Sequence, residues 1–239
     1  KPELYKQVNI EATLNLLKLC KEKGISKFVF ASTAAVYGDP EDFPVTEKST
    51  EAPVNVYGKT KLEVDRYLAQ NAAMLGISSI SFRFFNAAGA YKNSVGKWLR
   101  IKHAGATHLI PSILHSSNVK PLAIYGNDWP THDGTPVRDF IHVSDLSNAL
   151  VKSLSFLNKP GNIIINLGTA TGLTVLEVIQ AAEVALNRKI YFKFTDRRPG
   201  DSFALVTNRD KAKEILGWEP IKGLSEILID AQNEFDSNN

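Results

Sequence analysis

Short apolar runs separated by helix-length amphipathic segments constrain this chain more than any other feature. The runs "KFVFAS" (27–32), "SISFRFF" (79–85), "NIIINLG" (162–168) and "KIYFKF" (189–194) read as strands, the first as a strand buried in a parallel sheet. Leu4, Val8, Leu14, Leu17 and Cys20 fall at helical spacing and predict a helix over roughly 3–23, ended by Gly24. Asn55 is the expected cap of a helix over about 56–75, which Gly76 closes. Further helices are predicted over 143–157, near 174–187 and 208–216, and near 223–235. Alternation of this kind predicts an α/β fold, a doubly wound, Rossmann-like parallel sheet. The segment from about 90 to 140 breaks the rhythm. Rich in Gly, Pro, His and Asn, it reads as loops carrying function on a rigid scaffold.

Composition excludes several classes. At 239 residues, 44% hydrophobic and 22% charged, the chain can bury a sizeable core and has the balance of a soluble globular protein. Its formal charge of +3 is small and dispersed, which argues against nucleic acid as a partner and suits an anionic small molecule. The single cysteine, Cys20, excludes an internal disulfide framework and fits a reducing, cytoplasmic setting. No apolar run reaches the length of a membrane span, residues 1–20 do not read as a signal peptide, and no metal-ligand spacing stands out. There is no internal repeat.

A nucleotide-binding sheet of this type is expected to open with a strand, a Gly-rich turn against a pyrophosphate and an acidic residue for a ribose. This chain opens on a helix, and contains neither Gly-x-Gly-x-x-Gly nor Gly-x-x-Gly-x-x-Gly. The expectation is that it begins partway through a longer protein; a complete small α/β domain of another kind is the alternative. Chemistry is nonetheless visible. Tyr57 and Lys61 stand four apart on a predicted helix, so both project from one face. A free phenol titrates near pH ~10; an ammonium held close favours the phenolate and moves it toward working pH. Thr33, at the end of a predicted strand, adds a hydroxyl for the same substrate oxygen. Tyr37 has no such partner and reads as an aromatic packing where the chain leaves the sheet.

The segments "FASTAAVYG", "YGKTKLEVDRYL", "FRFFNAAGA", "THLIP", "IYGNDWPTHDGTPVRDFIHVSD", "NLGTATGLTV" and "RRPGDSFALVTN…ILGWEP" occur in the order and spacing of the UDP-glucose 4-epimerase family of extended short-chain dehydrogenases/reductases. The resemblance runs from residue 1 to 235, and it implies an NAD-dependent isomerase acting on a UDP-sugar. It implies that Tyr57 is the catalytic base, Lys61 holds the cofactor ribose and lowers the tyrosine's pKa, and Thr33 is the catalytic hydroxyl residue. Asn9, Ser32 and Phe84 fall at cofactor positions. Asn86, His108 and Leu109 match positions contacting the sugar and diphosphate, and Tyr125 lies where an aromatic packs on uracil. Arg138 and Arg198 match the arginines of the diphosphate, a role suited to a planar, always charged donor. Arg197 reads as a solvated surface residue, and Asp201 matches the acceptor for the uridine ribose.

The implied reaction removes hydride from sugar C4 to NAD and a proton to Tyr57, turns the 4-keto sugar about its diphosphate, and returns hydride to the other face. Related 4,6-dehydratases carry an acidic pair after the strand-end hydroxyl; here Ala34 and Ala35 stand there, which argues against elimination. A UDP-pentose 4-epimerase shares nearly all the motifs and remains an alternative. Leu205 stands at the position that gates an N-acetyl group at C2, and leans the reading toward UDP-glucose and UDP-galactose. The resemblance also implies a homodimer through helices 3–23 and 56–75. It divides the chain into a dinucleotide-binding part (1–90, with returning segments about 122–168) and a UDP-sugar-binding part (91–121 and 169–239). A reading from another class is a non-catalytic nucleotide-sugar-binding remnant, since the glycine turn and ribose acid are absent. Residues 1–239 alone are therefore expected neither to hold NAD nor to fold as a stable monomer, their sheet leaving an apolar edge open.

Overall fold

A computed structural model describes residues 2–99 and 108–237. In chain order it begins with one continuous helical rod: α1 (Pro2–Tyr5), a π-helical stretch (Lys6–Glu11) and α2 (Ala12–Glu22). Strand β1 (Lys27–Thr33) runs into a 3₁₀ turn (Ala34–Tyr37), and α3 (Val56–Asn71) leads to β2 (Ser78–Phe84). There follow β3 (Asn86–Ala88), β4 (Tyr91–Lys92), β5 (Trp98–Leu99), α4 (Leu109–Leu114), β6 (Leu122–Tyr125), β7 (Val137–His142) and α5 (Val143–Ser153). The rest is β8 (Gly161–Leu167), β9 (Gly172–Thr174), α6 (Val175–Ala185), β10 (Phe192–Thr195), β11 (Ala204–Leu205), α7 (Asp210–Leu216) and α8 (Leu224–Asp236).

The central sheet is parallel, in the order β1-β2-β8, with helices on both faces. Pleating decides what each face buries. On one face Phe30 meets Ile10, Leu17 and Cys20 of the first helical rod and Val64 and Leu68 of α3. On the other, Ile80, Phe82, Ile165 and Leu167 pack with Leu146 and Ala149 of α5 and Ala212 and Leu216 of α7. Fully buried side chains of this size stabilise by about 1.5–3 kcal/mol each. A second core gathers Ile110 and Ile113 of α4, Leu122 and Ile124 of β6, Val178 and Ile179 of α6 and Ile227 and Leu228 of α8.

Most sequence expectations hold, with informative differences. Asn55 does cap α3, its side chain accepting from the Gly58 N–H at 2.8 Å. That helix ends at Asn71, and the chain turns through Gly76 at φ +69°. Helix α5 stops at Ser153, where the Ser153 and Ser155 hydroxyls donate back to the Leu150 and Lys152 carbonyls. The stretch from 90 to 140 is less loop-like than its composition: α4 and β6 lie within it, and β7 begins near its end. Residues 122–125, grouped above with the dinucleotide-binding part, pair in parallel with β10, so β6 sits beside the second core. β7 pairs with β3, β9 and β11. Residues 100–107, which include Thr107 of "THLIP" and part of the expected sugar-binding portion, lie outside the described residues.

Candidate active site

Thr33 is the last residue of β1 and the ladder partner of Phe84, the last of β2. The carboxyl ends of parallel strands are where open α/β sheets bind ligands. Helix α3 starts beside this rim because Gly58 lets it: a Cβ there would stand 2.6 Å from the Ala35 carbonyl oxygen. The close approach brings Tyr57 beside Thr33, near enough for the threonine hydroxyl to act on the phenol. Thr33 Oγ1 also accepts from the Ala35 N–H at 3.2 Å, which fixes its rotamer. Burial pushes the Tyr57 phenol above its ordinary range, the Thr33 hydroxyl opposing and neighbouring Tyr5 adding to the rise.

Lys61 follows one turn on. Its ammonium donates to the Ala31 carbonyl at 3.0 Å and lies 4.8 Å from the centre of the Phe30 ring and 5.9 Å from that of Tyr57. Burial draws its pKa down while the charge of Asp65 holds it up. The two groups of the pair are thus displaced toward each other, the phenol upward and the ammonium downward. The lowering of Tyr57 by Lys61 expected from sequence is not its net balance here, where burial outweighs every favourable contact.

The remaining expected residues divide. Asn9 lies in the π-helical stretch, and its amide donates to Thr60 Oγ1 at 2.9 Å, three residues past Tyr57; such stretches recur at functional sites. Phe84 is half-buried at the rim and stacks on Phe82 with ring centres 6.4 Å apart. The Ser32 side chain points the other way from its neighbour Thr33, as strand alternation dictates. It is enclosed, and its hydroxyl donates to Asp65 Oδ2 at 2.9 Å, so only its backbone is left to face a cofactor. Tyr37 does more than pack: its hydroxyl donates to Asn166 Oδ1 at 2.7 Å and accepts from Arg83 Nη1 at 3.0 Å.

A second group is assembled by β6, β10, β7 and β11. Thr195 is the ladder partner of Tyr125, so the chain leaving β10 passes that ring, and the Arg198 guanidinium lies 3.5 Å from its centre. Arg197, expected to be merely solvated, pairs with Asp128 at 2.7 Å and lies over the Trp129 ring at 4.0 Å. Arg138 is the ladder partner of Leu205. Burial lowers the Arg138 pKa, with the charges of Asp201 and Asp39 opposing, so Asp201 reaches the same place. Leu205 joins the two groups, packing in one cluster with Ala34, Val36, Tyr37, Leu62 and Phe85. Asn86 follows Phe85 directly and opens β3 against Phe140. His108 stands just before α4, whereas the Leu109 side chain packs on the second core.

Sequence reasoning missed a buried polar row beneath the rim. Ser32, Arg83 and Asn166 are ladder partners across β1, β2 and β8, all facing α3 and all enclosed. Arg83 Nε donates to Asp65 Oδ2 at 3.1 Å, and Nη2 pairs with Glu51. An arginine inside an apolar strand was the available signal, since that side chain is almost never fully buried unless paired. Among the described residues no cluster has the make-up of a metal site, and no helix is long and apolar enough to cross a membrane.

The donor set fits the nicotinamide end of a dinucleotide. Lys61 offers ammonium hydrogens suited to ribose hydroxyls, Tyr57 and Thr33 face the same space, and Phe84 supplies an apolar flank. Residues 1–168 match the family model described as "NAD dependent epimerase/dehydratase family". The UDP-glucose 4-epimerase of Rhizobium leguminosarum bv. trifolii is 41% identical over 234 residues, 96% of this chain and 70% of that protein. The structure resembles that of the Stenotrophomonas maltophila UDP-glucose-4-epimerase with bound NAD and formylated UDP-arabinopyranose, with TM-score 0.93 and 33% identity over 99% of this chain and 71% of that one. It also resembles the Bifidobacterium longum UDP-glucose 4-epimerase in complex with NAD+ and UDP, with TM-score 0.87 and 33% identity over the same shares, 99% and 71%. Parallel α/β fold, strand-end hydroxyl, Tyr-x-x-x-Lys helix and relatives agree: the chain belongs to the NAD dependent epimerase/dehydratase family.

Proposed function

We propose that the protein interconverts UDP-glucose and UDP-galactose by inverting the sugar at C4, with NAD as cofactor. The observation that carries this reading is the meeting of Thr33, at the carboxyl end of β1, with Tyr57 at the start of α3 and Lys61 one turn on. Lys61, Phe84 and the Ser32 backbone would hold NAD, which would supply reversible hydride acceptance at C4. Tyr57 takes the proton of the 4-hydroxyl and later returns it, while Thr33 hydrogen-bonds the oxygen as it gains and loses carbonyl character. Lys61 and the half-buried Phe84 flank the cofactor's nicotinamide end, with Asn9 holding α3 beside them.

Arg138 and Arg198 neutralise the diphosphate, Asp201 accepts from the uridine ribose, and Tyr125 offers its ring to uracil; their convergence across β6, β7 and the β10–β11 connection supports these roles. Asn86, His108 and Leu109 are assigned to the sugar and diphosphate, the last through its backbone, and Ser32 to the cofactor through its backbone. Leu205 closes the sugar side against an N-acetyl group. Ala34 and Ala35 hold no proton to transfer, so epimerisation is favoured over elimination. A UDP-pentose is the second substrate reading, and the Stenotrophomonas neighbour, solved with a formylated UDP-arabinopyranose, is the observation that favours it.

The full-length gene product, incubated with UDP-galactose and no added reductant, is expected to form UDP-glucose until the two sugars equilibrate. Absence of UDP-glucose, with UDP-arabinose turned over instead, selects the pentose reading. Nucleotide-sugar binding with no turnover of either selects a non-catalytic role.

We further propose a cytoplasmic homodimer built on the first helical rod and α3. Leu4, Val8, Leu16 and Leu19 of the rod are 52, 59, 50 and 52% exposed, an apolar face of the kind that marks an interface. The lone buried thiol, Cys20, suits a reducing compartment. A double substitution, Val8→Glu with Leu16→Glu, is expected to convert a dimer to monomers in sedimentation experiments; a wild-type protein that sediments as a monomer removes the proposal. The same reading divides the chain into a dinucleotide-side part (1–90, with returning segments about 122–168) and a sugar-nucleotide part (91–121 and 169–239); packing crosses that division, Leu122, Ile124 and Phe140 lying in the second core and Ala212, Leu216 and Trp218 in the core of the central sheet.

A further inference from the structure

Helix α3 carries a third polar residue on the stripe of Tyr57 and Lys61, one the reaction does not touch. Asp65 stands four residues past Lys61, so the three side chains follow one face. Its environment differs sharply from theirs. Tyr57 is 37% exposed, whereas Asp65 is 0% exposed. Asp65 Oδ2 accepts from Ser32 Oγ at 2.9 Å and from Arg83 Nε at 3.1 Å, while Oδ1 is closed off with no partner of hydrogen-bond geometry and the Ser81 hydroxyl close by.

Stability does not account for this carboxylate. An enclosed ion pair is offset by the desolvation of both charges, and a lone pair left without a donor adds to that cost. Position does account for it. Ser32 precedes Thr33 on β1, and Arg83 is the ladder partner of Ser32. Arg83 also donates to the hydroxyl of Tyr37, which ends the 3₁₀ turn following Thr33. One carboxylate therefore ties the helix of Tyr57 to the chain on both sides of Thr33. Its charge also acts on Lys61. The other neighbours of that ammonium are the Ala31 carbonyl and the Phe30 and Tyr57 rings, so Asp65 is the opposite charge it faces. From β2 Arg83 faces Asp65, and Glu51, ahead of α3, balances Arg83 in turn.

We propose that Asp65 is a positioning residue for Thr33, Tyr57 and Lys61: its carboxylate fixes α3 against the strand end and supplies the negative charge that faces the Lys61 ammonium. The proposal rests on the assignment of proton transfer to Tyr57 and Lys61 made above. Its test separates the two readings, because one arm needs no turnover.

That arm is a ¹³C NMR titration of the lysine side chains in wild type, Asp65→Asn and Asp65→Glu, with Lys61→Arg assigning the resonance. Asp65→Asn is expected to move the Lys61 midpoint to lower pH, and Asp65→Glu to restore it toward wild type. In turnover, Asp65→Asn is expected to lower kcat about 10- to 100-fold, the cost of a small misplacement of reacting groups. KM for UDP-galactose changes by less than about twofold, since the nucleotide residues lie on other elements, and the alkaline limb of the kcat profile moves with Lys61. An unmoved Lys61 midpoint overturns the proposal. So does a fall in kcat that tracks lost thermal stability while the pH profile stays put. Should Asp65→Asn not fold, Ser32→Ala removes one of the two hydrogen bonds on the carboxylate. It is expected to lower kcat severalfold at unchanged KM, and an unchanged kcat overturns the proposal equally.

Discussion

Tyr57→Phe is expected to lower kcat for UDP-galactose by about 10²- to 10⁴-fold, the span that a positioned proton-transfer group contributes. The substitution removes one oxygen from a side chain that is 37% exposed, so little packing is lost and thermal unfolding should stay close to wild type. UDP binding should also persist, because Tyr125, Arg138, Arg198 and Asp201 belong to other strands and loops. The pH profile carries the same information. Burial raises the Tyr57 phenol and lowers the Lys61 ammonium. The two shifts narrow the pH span in which Tyr57 is ionised while Lys61 keeps its charge, so the wild-type kcat profile should be a narrow bell. The climbing limb should vanish in Tyr57→Phe. Turnover within tenfold of wild type, with the limb intact, would remove Tyr57 from the chemistry.

Arg83→Met is the substitution expected to cost most in stability. Arg83 is 0% exposed and is the counter-charge of an equally enclosed Asp65. Methionine fills comparable space and leaves the carboxylate buried and unpaired, a situation that costs about 3–5 kcal/mol. The loss extends to Tyr37 and Glu51, each of which gives up a hydrogen bond from the guanidinium. For a chain of this length the expected fall in Tm is roughly 6–20 °C. Adding Asp65→Leu to Arg83→Met should recover much of the loss, because no charge then remains in the core. Denaturant unfolding of the two variants decides the matter: a single variant within about 1 kcal/mol of wild type contradicts the account.

The parts of this molecule that were legible in sequence are those whose signals are local. Asn55 announced α3 because a side-chain cap acts within three residues. β1 and β8 were visible because strands buried on both faces need sustained apolar runs. Tyr57, Lys61 and Thr33 could be picked out because helix periodicity and a strand end bring them together without long-range information. β7 was hidden by its own chemistry. "VRDFIH" holds Arg138, Asp139 and His142, and it is a strand because Asp139 accepts from the Thr169, Ala170 and Thr207 N–H groups. Those partners lie about thirty and about seventy positions away, beyond any local pattern. The π-helical stretch was equally silent, since its residues keep the polarity of an ordinary helix. The Asp65–Arg83 pair has no characteristic spacing at all. Only the sheet register brings Ser32, Arg83 and Asn166 into one row.

The pairing of Leu205 with Arg138 couples two choices that a chemist would prefer to make separately. On the proposed reading Leu205 borders the sugar and Arg138 the diphosphate, and the two are directly opposed on adjacent strands. β11 is only two residues long. A change of side chain at 205 leaves that backbone untouched, so sugar preference can be retuned with the nucleotide anchor in place. A change of length anywhere between Asp201 and Leu205 cannot be so confined. A slip of one residue would turn the leucine to the opposite face of its strand and set a different neighbour beside the arginine. Variation in sugar preference on this scaffold is thus open to substitution and closed to insertion or deletion.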